Sequence, residues 1–161
     1  MGGLTARPAE IADADAIARV HVQAWKEAYA HLLPAAFLDD RDVGQYAERW
    51  RTIIGSGSTD VAVADLDGVV VGWAAAGAGR DHDAPRDREL EGIYVLAAVY
   101  GSGAGQALID RAVGDAPAYL WIAEHNPRAE AFYHRNGFRR DGVVKREQLG
   151  PHTLDVVRMV R

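Results

Sequence analysis

Residues 89–110 read ELEGIYVLAAVYGSGAGQALID, and this stretch decides the fold. Leu90 to Val99 is an apolar run with β-branched and aromatic residues, which predicts a buried strand. Gly101, Gly103 and Gly105 follow, and Ala104, Leu108, Ile109 and Ala112 then recur at helical spacing. A glycine turn between strand and helix exposes backbone N–H groups at a helix N-terminus. The partial positive charge there suits a phosphate or pyrophosphate, and glycine allows close approach and unusual backbone angles. A P-loop is excluded, because Gln106 and Ala107 stand where Lys and Ser/Thr are needed. The dinucleotide fingerprint fails on its last spacing. An ordinary glycine turn stays open on this stretch alone.

The rest of the chain bounds the answer. Its 161 residues fit one domain with a substantial core, residues 1–161, and 48% hydrophobic with 25% charged content is ordinary for a globular protein. With 18 basic and 23 acidic residues the net charge is −5, so no global basic field would attract nucleic acid or an anionic membrane. The absence of cysteine removes disulfides, thiolate metal sites and a cysteine nucleophile. There is no apolar run long enough to span a membrane and no apolar core of a signal peptide, so a cytoplasmic location is the default expectation.

Taken in order, Leu4–Arg7 reads as a short strand ended by Pro8. Asp13 or Asp15 then caps a helix whose stripe runs Ile17, Val20, His21, Ala24, Trp25, Ala28, Tyr29, Leu32, closed by Pro34. A second helix carries Val43, Tyr46, Ala47, Trp50, Ile53 and Ile54. Val61–Leu66 and Val69–Ala76 form a hairpin at Asp67-Gly68. After the central strand and third helix come a strand at Tyr119–Ala123 and a helix opened by Asn126-Pro127 and ended at Asn136-Gly137. Phe138–Gln148 and Thr153–Met159 read as a final hairpin, whose exposed edge is compatible with a homodimer. This order predicts an α/β fold, one mixed central sheet with helices on both faces.

Tyr94-Val95 followed by Gly103-x-Gly105 resembles the acyl-coenzyme A loop of the GCN5-related N-acetyltransferase (GNAT) family, with Tyr100 where the family carries Gln or Arg. Asn126, Ala129, Phe132-Tyr133 and Gly137-Phe138 resemble the family's second signature, at the right distance from the first. His21–Pro34 is similar to the first-helix region of one branch. The resemblance implies a GNAT-like domain that moves the acetyl group of acetyl-CoA to an amine by direct attack in a ternary complex. It implies acetyl-CoA as co-substrate and no metal.

Residue by residue, the resemblance implies that Gly101, Ser102, Gly103, Ala104, Gly105 and Gln106 hold the pyrophosphate. Ile93, Tyr94 and Val95 would pair by backbone with the pantetheine arm, and Asn126 would contact it. Tyr133 would protonate the departing thiolate. The Val95 or Leu96 N–H would polarise the thioester carbonyl. The attacking amine must be neutral, yet an alkylamine with a pKa near ~10 is mostly protonated at neutral pH, so a base is needed. Strand alternation puts Glu89, Glu91, Ile93 and Val95 on one face. Glu91 is the preferred base and Glu89 its rival, with pairing of either to Arg80, Arg86 or Arg88 as the plainer role.

For the acceptor, the resemblance implies that the first helix walls the site, which would set Trp25 and Tyr29, a turn apart, opposite the acids Asp81, Asp83, Asp87, Glu89 and Glu91, with Asp65 if the strands pair. An aromatic wall facing carboxylates favours a small basic amine. A protein N-terminus or lysine as acceptor, and a non-catalytic acyl-CoA-sensing module, are the alternatives.

Overall fold

The structure is a computed structural model that describes residues 3–161. Local chemistry starts and stops the elements as expected, with some differences. β1 (Leu4–Pro8) leads through a 3-10 turn (Ile11–Asp13) into α1 (Ala14–Tyr29). Asp13 stands at the start of α1 but caps no helix N–H there. Its carboxylate accepts two bonds from Arg7, at 2.8 and 2.9 Å, and the Glu10 N–H at 2.7 Å. A five-residue helix, α2 (Ala35–Asp39), follows Pro34 where the sequence suggests only a break; it buries Leu38. α3 (Val43–Ser56) is capped by Asp42, which accepts from Gly44 and Gln45, and ends at Gly57 in the left-handed region.

β2 (Asp60–Leu66) and β3 (Val69–Ala78) turn at Asp67 and Gly68, whose φ values of 54° and 87° are those of a type I′ hairpin. β4 (Arg88–Val95) stops four residues short of the expected Val99; residues 97–99 form a 3-10 turn, tied down where Glu27 of α1 accepts the Ala97 N–H at 3.0 Å. α4 (Ala104–Ala112), β5 (Tyr119–Ala123), α5 (Pro127–Arg135), β6 (Arg139–Leu149) and β7 (His152–Val160) complete the chain.

The sheet has seven strands in the order β1-β2-β3-β4-β5-β7-β6. Every neighbouring pair is antiparallel except β4 with β5. α1 and α3 cover one face, where Ile17, Ala24 and Trp50 pack on Val63 and Trp73. α4 and α5 cover the other, where Leu108, Ile109 and Tyr133 pack with Leu90, Leu120 and Met159. The mixed sheet with helices on both faces is therefore as expected.

Two irregularities position the site. β4 and β5 share one register pair, Glu89 with Tyr119, and then part, so the β5-facing edge of β4 beyond Glu89 has no strand partner among the described residues. In addition, Gly92 pairs with Ala75 while Leu90 pairs with Ala76, which leaves Glu91 as an extra, bulged residue. The bulge overturns the expected alternation. Ile93 and Val95 pack on the α4 side together with Leu90, whereas Glu89 and Glu91 open onto the opposite side with Tyr94.

Candidate active site

The parted strands separate two half-sites. On the α4 side, Gly101 and Gly103 have φ of 80° and 92°, and Gly103 sits at the N-cap of α4. Ser102 Oγ accepts the Ala104 N–H at 3.3 Å. The Gly105 and Gln106 N–H groups have no protein acceptor among the described residues, as the first turn of a helix requires unless an anion is supplied. No acid lies between Val95 and Ile109 in the sequence. This cradle fits a pyrophosphate. Two of its residues have further neighbours. A Cβ on Gly105 would meet the Phe132 ring at 3.4 Å, an ordinary contact, so only a side chain larger than methyl would crowd α4 against α5. The Gln106 amide bonds Asp110 at 2.9 Å and Asn136 at 2.8 Å, so Gln106 can offer an anion its backbone N–H rather than its side chain.

The gap itself presents backbone. Leu96 N–H donates to Val71 O at 3.0 Å and is removed as an oxyanion donor. Alternation in the antiparallel β3–β4 ladder then turns the Ile93 and Val95 N–H groups towards the gap. Asn126 Oδ1 caps α5 by accepting the Ala129 N–H at 3.3 Å, leaving its amide N–H₂ free among the described residues. Tyr133 is 7% exposed and its hydroxyl makes no hydrogen bond among the described residues. Burial, and secondarily nearby Tyr29, push its pKa up, so the phenol keeps its proton.

On the other side lies a cavity of about 370 Å³ between α1, β4, β5 and the β6–β7 hairpin. It brings together Trp25, Tyr29, Glu89 and Glu91, and adds Arg80, Asp81, Tyr94, Trp121, Lys145 and Glu147. The Tyr29 and Tyr94 hydroxyls bond each other at 2.8 Å. Glu89 is buried and committed: it accepts from Arg80 Nη2 at 2.8 Å, Arg80 Nε and N–H at 3.0 Å, and the Tyr119 hydroxyl at 3.1 Å. Its expected place at an acceptor is thus taken by Arg80. Glu91 meets Arg80 only at 3.5 Å, and burial raises its pKa against that cation. Asp81 holds the Trp121 Nε1 at 2.8 Å and Lys145 at 3.7 Å, and Asp83 holds Arg158 at 3.4 Å. Asp65 is not in this cavity: it lies beside Arg7 in a separate cleft of about 490 Å³, whose acids Asp13 and Asp65 are both paired to Arg7. Of the cavity acids, Glu89 alone is hydrogen-bonded to a cation among the described residues; Glu91 and Asp81 stand 3.5 and 3.7 Å from Arg80 and Lys145, and Glu147 has no ion pair among them.

The hairpin residues Lys145 and Glu147, and the side chain of Tyr94, escaped the sequence reading. Their signal lies in the bulge and in a strand pairing far along the chain. His21, in line with Trp25 and Tyr29, is instead a core histidine among Tyr46, Trp50 and Trp73; its Nδ1 accepts the Trp50 Nε1–H at 3.2 Å.

Comparison with known proteins defines the class. The family model "Acetyltransferase (GNAT) family" matches residues 21–138. The chain is 31% identical over 131 residues to YuaI, an uncharacterized N-acetyltransferase of Bacillus subtilis (strain 168), covering 77% of this chain and 74% of that one. The chain therefore belongs to the GNAT acetyltransferase family. Among solved structures, PaiA N-acetyltransferase from Thermoplasma acidophilum in complex with coenzyme A superposes with a TM-score of 0.74 at 17% identity, covering 96% of this chain and 98% of that one. A GNAT superfamily phosphinothricin acetyltransferase from Sinorhizobium meliloti in complex with AcCoA gives 0.69 at 27% identity, over 98% and 87%.

Proposed function

We propose that the protein transfers the acetyl group of acetyl-CoA to the primary amine of a small basic acceptor. The observation that carries this is the gap between β4 and β5, with an anion cradle of free N–H groups on one side and an aromatic, carboxylate-bearing cavity on the other. Bound acetyl-CoA supplies the thioester. Gly103, Gly105 and Gln106 bind its pyrophosphate by backbone, the free edge of β4 takes the pantetheine amides, and Asn126 adds a side-chain contact. Glu91 takes the proton of the acceptor ammonium. The freed amine forms the new C–N bond, and Val95 N–H stabilises the negative charge that develops on the carbonyl oxygen. Tyr133 gives its proton to the sulfur as the C–S bond breaks, the second proton lost by the acylated nitrogen restores the phenol, and Glu91 returns its proton to solvent.

Trp25, Tyr29 and Trp121 line the acceptor cavity, and Glu91 and Glu147 set its charge. That combination supports a cationic acceptor over an acidic one. A panel of amines with acetyl-CoA and free-thiol detection tests the reading. Thiol release with small cationic amines is expected. Acetyl-CoA binding without thiol release from any amine would show a sensing module, and preference for an anionic, peptide or protein acceptor would overturn the acceptor class.

A further inference from the structure

The glycine loop begins with Tyr100, where the family motif places a Gln or Arg side chain. Tyr100 is 38% exposed, and the Arg128 guanidinium stacks on it with its carbon 3.4 Å from the ring centroid. Arg128 is the second residue of α5 and is exposed. It makes no ion pair among the described residues, and the acids flanking it in the chain are taken. Arg140 holds Glu124 at 3.0 Å and Glu130 at 2.6 Å. An arginine without a carboxylate partner among the described residues, held over an aromatic ring beside a loop free of acids, is a cation prepared for an anion.

We infer that Arg128, positioned by Tyr100, supplies the cationic side-chain contact to the pyrophosphate of coenzyme A, restoring from α5 what the loop lacks at Tyr100. Stacking fixes the guanidinium plane and leaves its edge N–H groups to form charge-assisted hydrogen bonds with phosphate oxygens. The contact adds to the backbone cradle of α4, whose N–H groups and partial charge face the same loop. Tyr100 is then a positioning residue. Its ring makes the stack, so its hydroxyl is dispensable.

The inference rests on the coenzyme A reading of the site, and calorimetric titration keeps the two apart. Coenzyme A and dephospho-coenzyme A, which lacks the 3′-phosphate, are titrated into the wild type and variants. Arg128→Ala should weaken both ligands by about ten- to a hundred-fold, the range of a lost charge-assisted hydrogen bond. Arg128→Lys should recover only part of this, because an ammonium lacks the planar fork. Tyr100→Phe should bind normally and Tyr100→Ala should bind several-fold more weakly. Arg135→Ala, an equal charge change at the far end of α5, should leave both affinities unchanged. Undiminished binding by Arg128→Ala overturns the inference. A loss confined to coenzyme A places the contact on the 3′-phosphate and overturns the pyrophosphate assignment. Normal binding by Tyr100→Ala overturns the positioning role, and a wild type that binds neither ligand overturns the coenzyme A reading itself.

Discussion

Tyr133 and His21 show opposite fates of polar side chains placed in the core. The Tyr133 phenol keeps its proton by burial and has no protein partner among the described residues, so it is free to donate one. Tyr133→Phe keeps the ring packing against Phe132 and Phe138. It should lower kcat by about ten- to a thousand-fold while leaving the acetyl-CoA affinity nearly unchanged, measured by thiol release and calorimetry. His21 has its hydrogen-bonding capacity used: Nδ1 accepts from Trp50, so Nε2 carries the proton of the neutral ring. Burial lowers its pKa from 6.5 to about 4. The unfolded chain therefore binds the proton more readily, and stability falls as pH drops from about 6.5 towards 4. His21→Gln retains an acceptor without a titrating ring. Urea titrations between those limits should show it losing less stability than the wild type, by an amount on the order of 2 kcal/mol.

At the scale of elements, the glycine loop and α4 divide their glycines between conformation and contact. Gly103 holds a φ of 92°, and a Cβ there would meet only Leu4 at 3.8 Å, so its requirement is angular. Gly103→Val should shift the start of α4 and abolish the thermal stabilisation given by acetyl-CoA, while the free fold loses about 1–2 kcal/mol. Gly105 has Phe132 as its neighbour. Gly105→Ala should be tolerated, whereas Gly105→Val should push α5 away, cost about 1–3 kcal/mol and disturb Tyr133 as well. Differential scanning with and without acetyl-CoA separates the two: a Gly103→Val protein that is still stabilised fully would remove the loop from the binding site.

For the whole molecule, the two half-sites depend on α4 and α5 staying in register with a sheet whose middle is split. Arg161 helps fix them. Its guanidinium bonds the Gly114 and Ala116 carbonyls after α4 and the Asn136 carbonyl after α5, and its N–H joins the Ala118 carbonyl at 3.0 Å. Arg161→Ala should lower the unfolding free energy by about 2 kcal/mol and weaken acetyl-CoA binding through both helices, even though the residue lies outside the cradle. Urea denaturation and calorimetry check the pair of effects; a change in stability with unaltered binding would show that the helices are held by the core alone.

The sequence by itself determined most element types and the glycine turn that opens α4, because those signals are local. Glycine with positive φ, Asn126-Pro127 at a helix start, and alternating or helical apolar spacing act within a few residues of where they are read. Only the tertiary structure decided what lines the cavity on the other side of the gap. The bulge at Glu91 reverses side-chain parity, Arg80 hydrogen-bonds Glu89 and meets Glu91 only at 3.5 Å, and the β6–β7 hairpin brings Lys145 and Glu147 into the lining shared with Trp25. The same holds for Arg128 on Tyr100. Each of these depends on strand register or on contacts between residues distant in the chain, which no local period encodes.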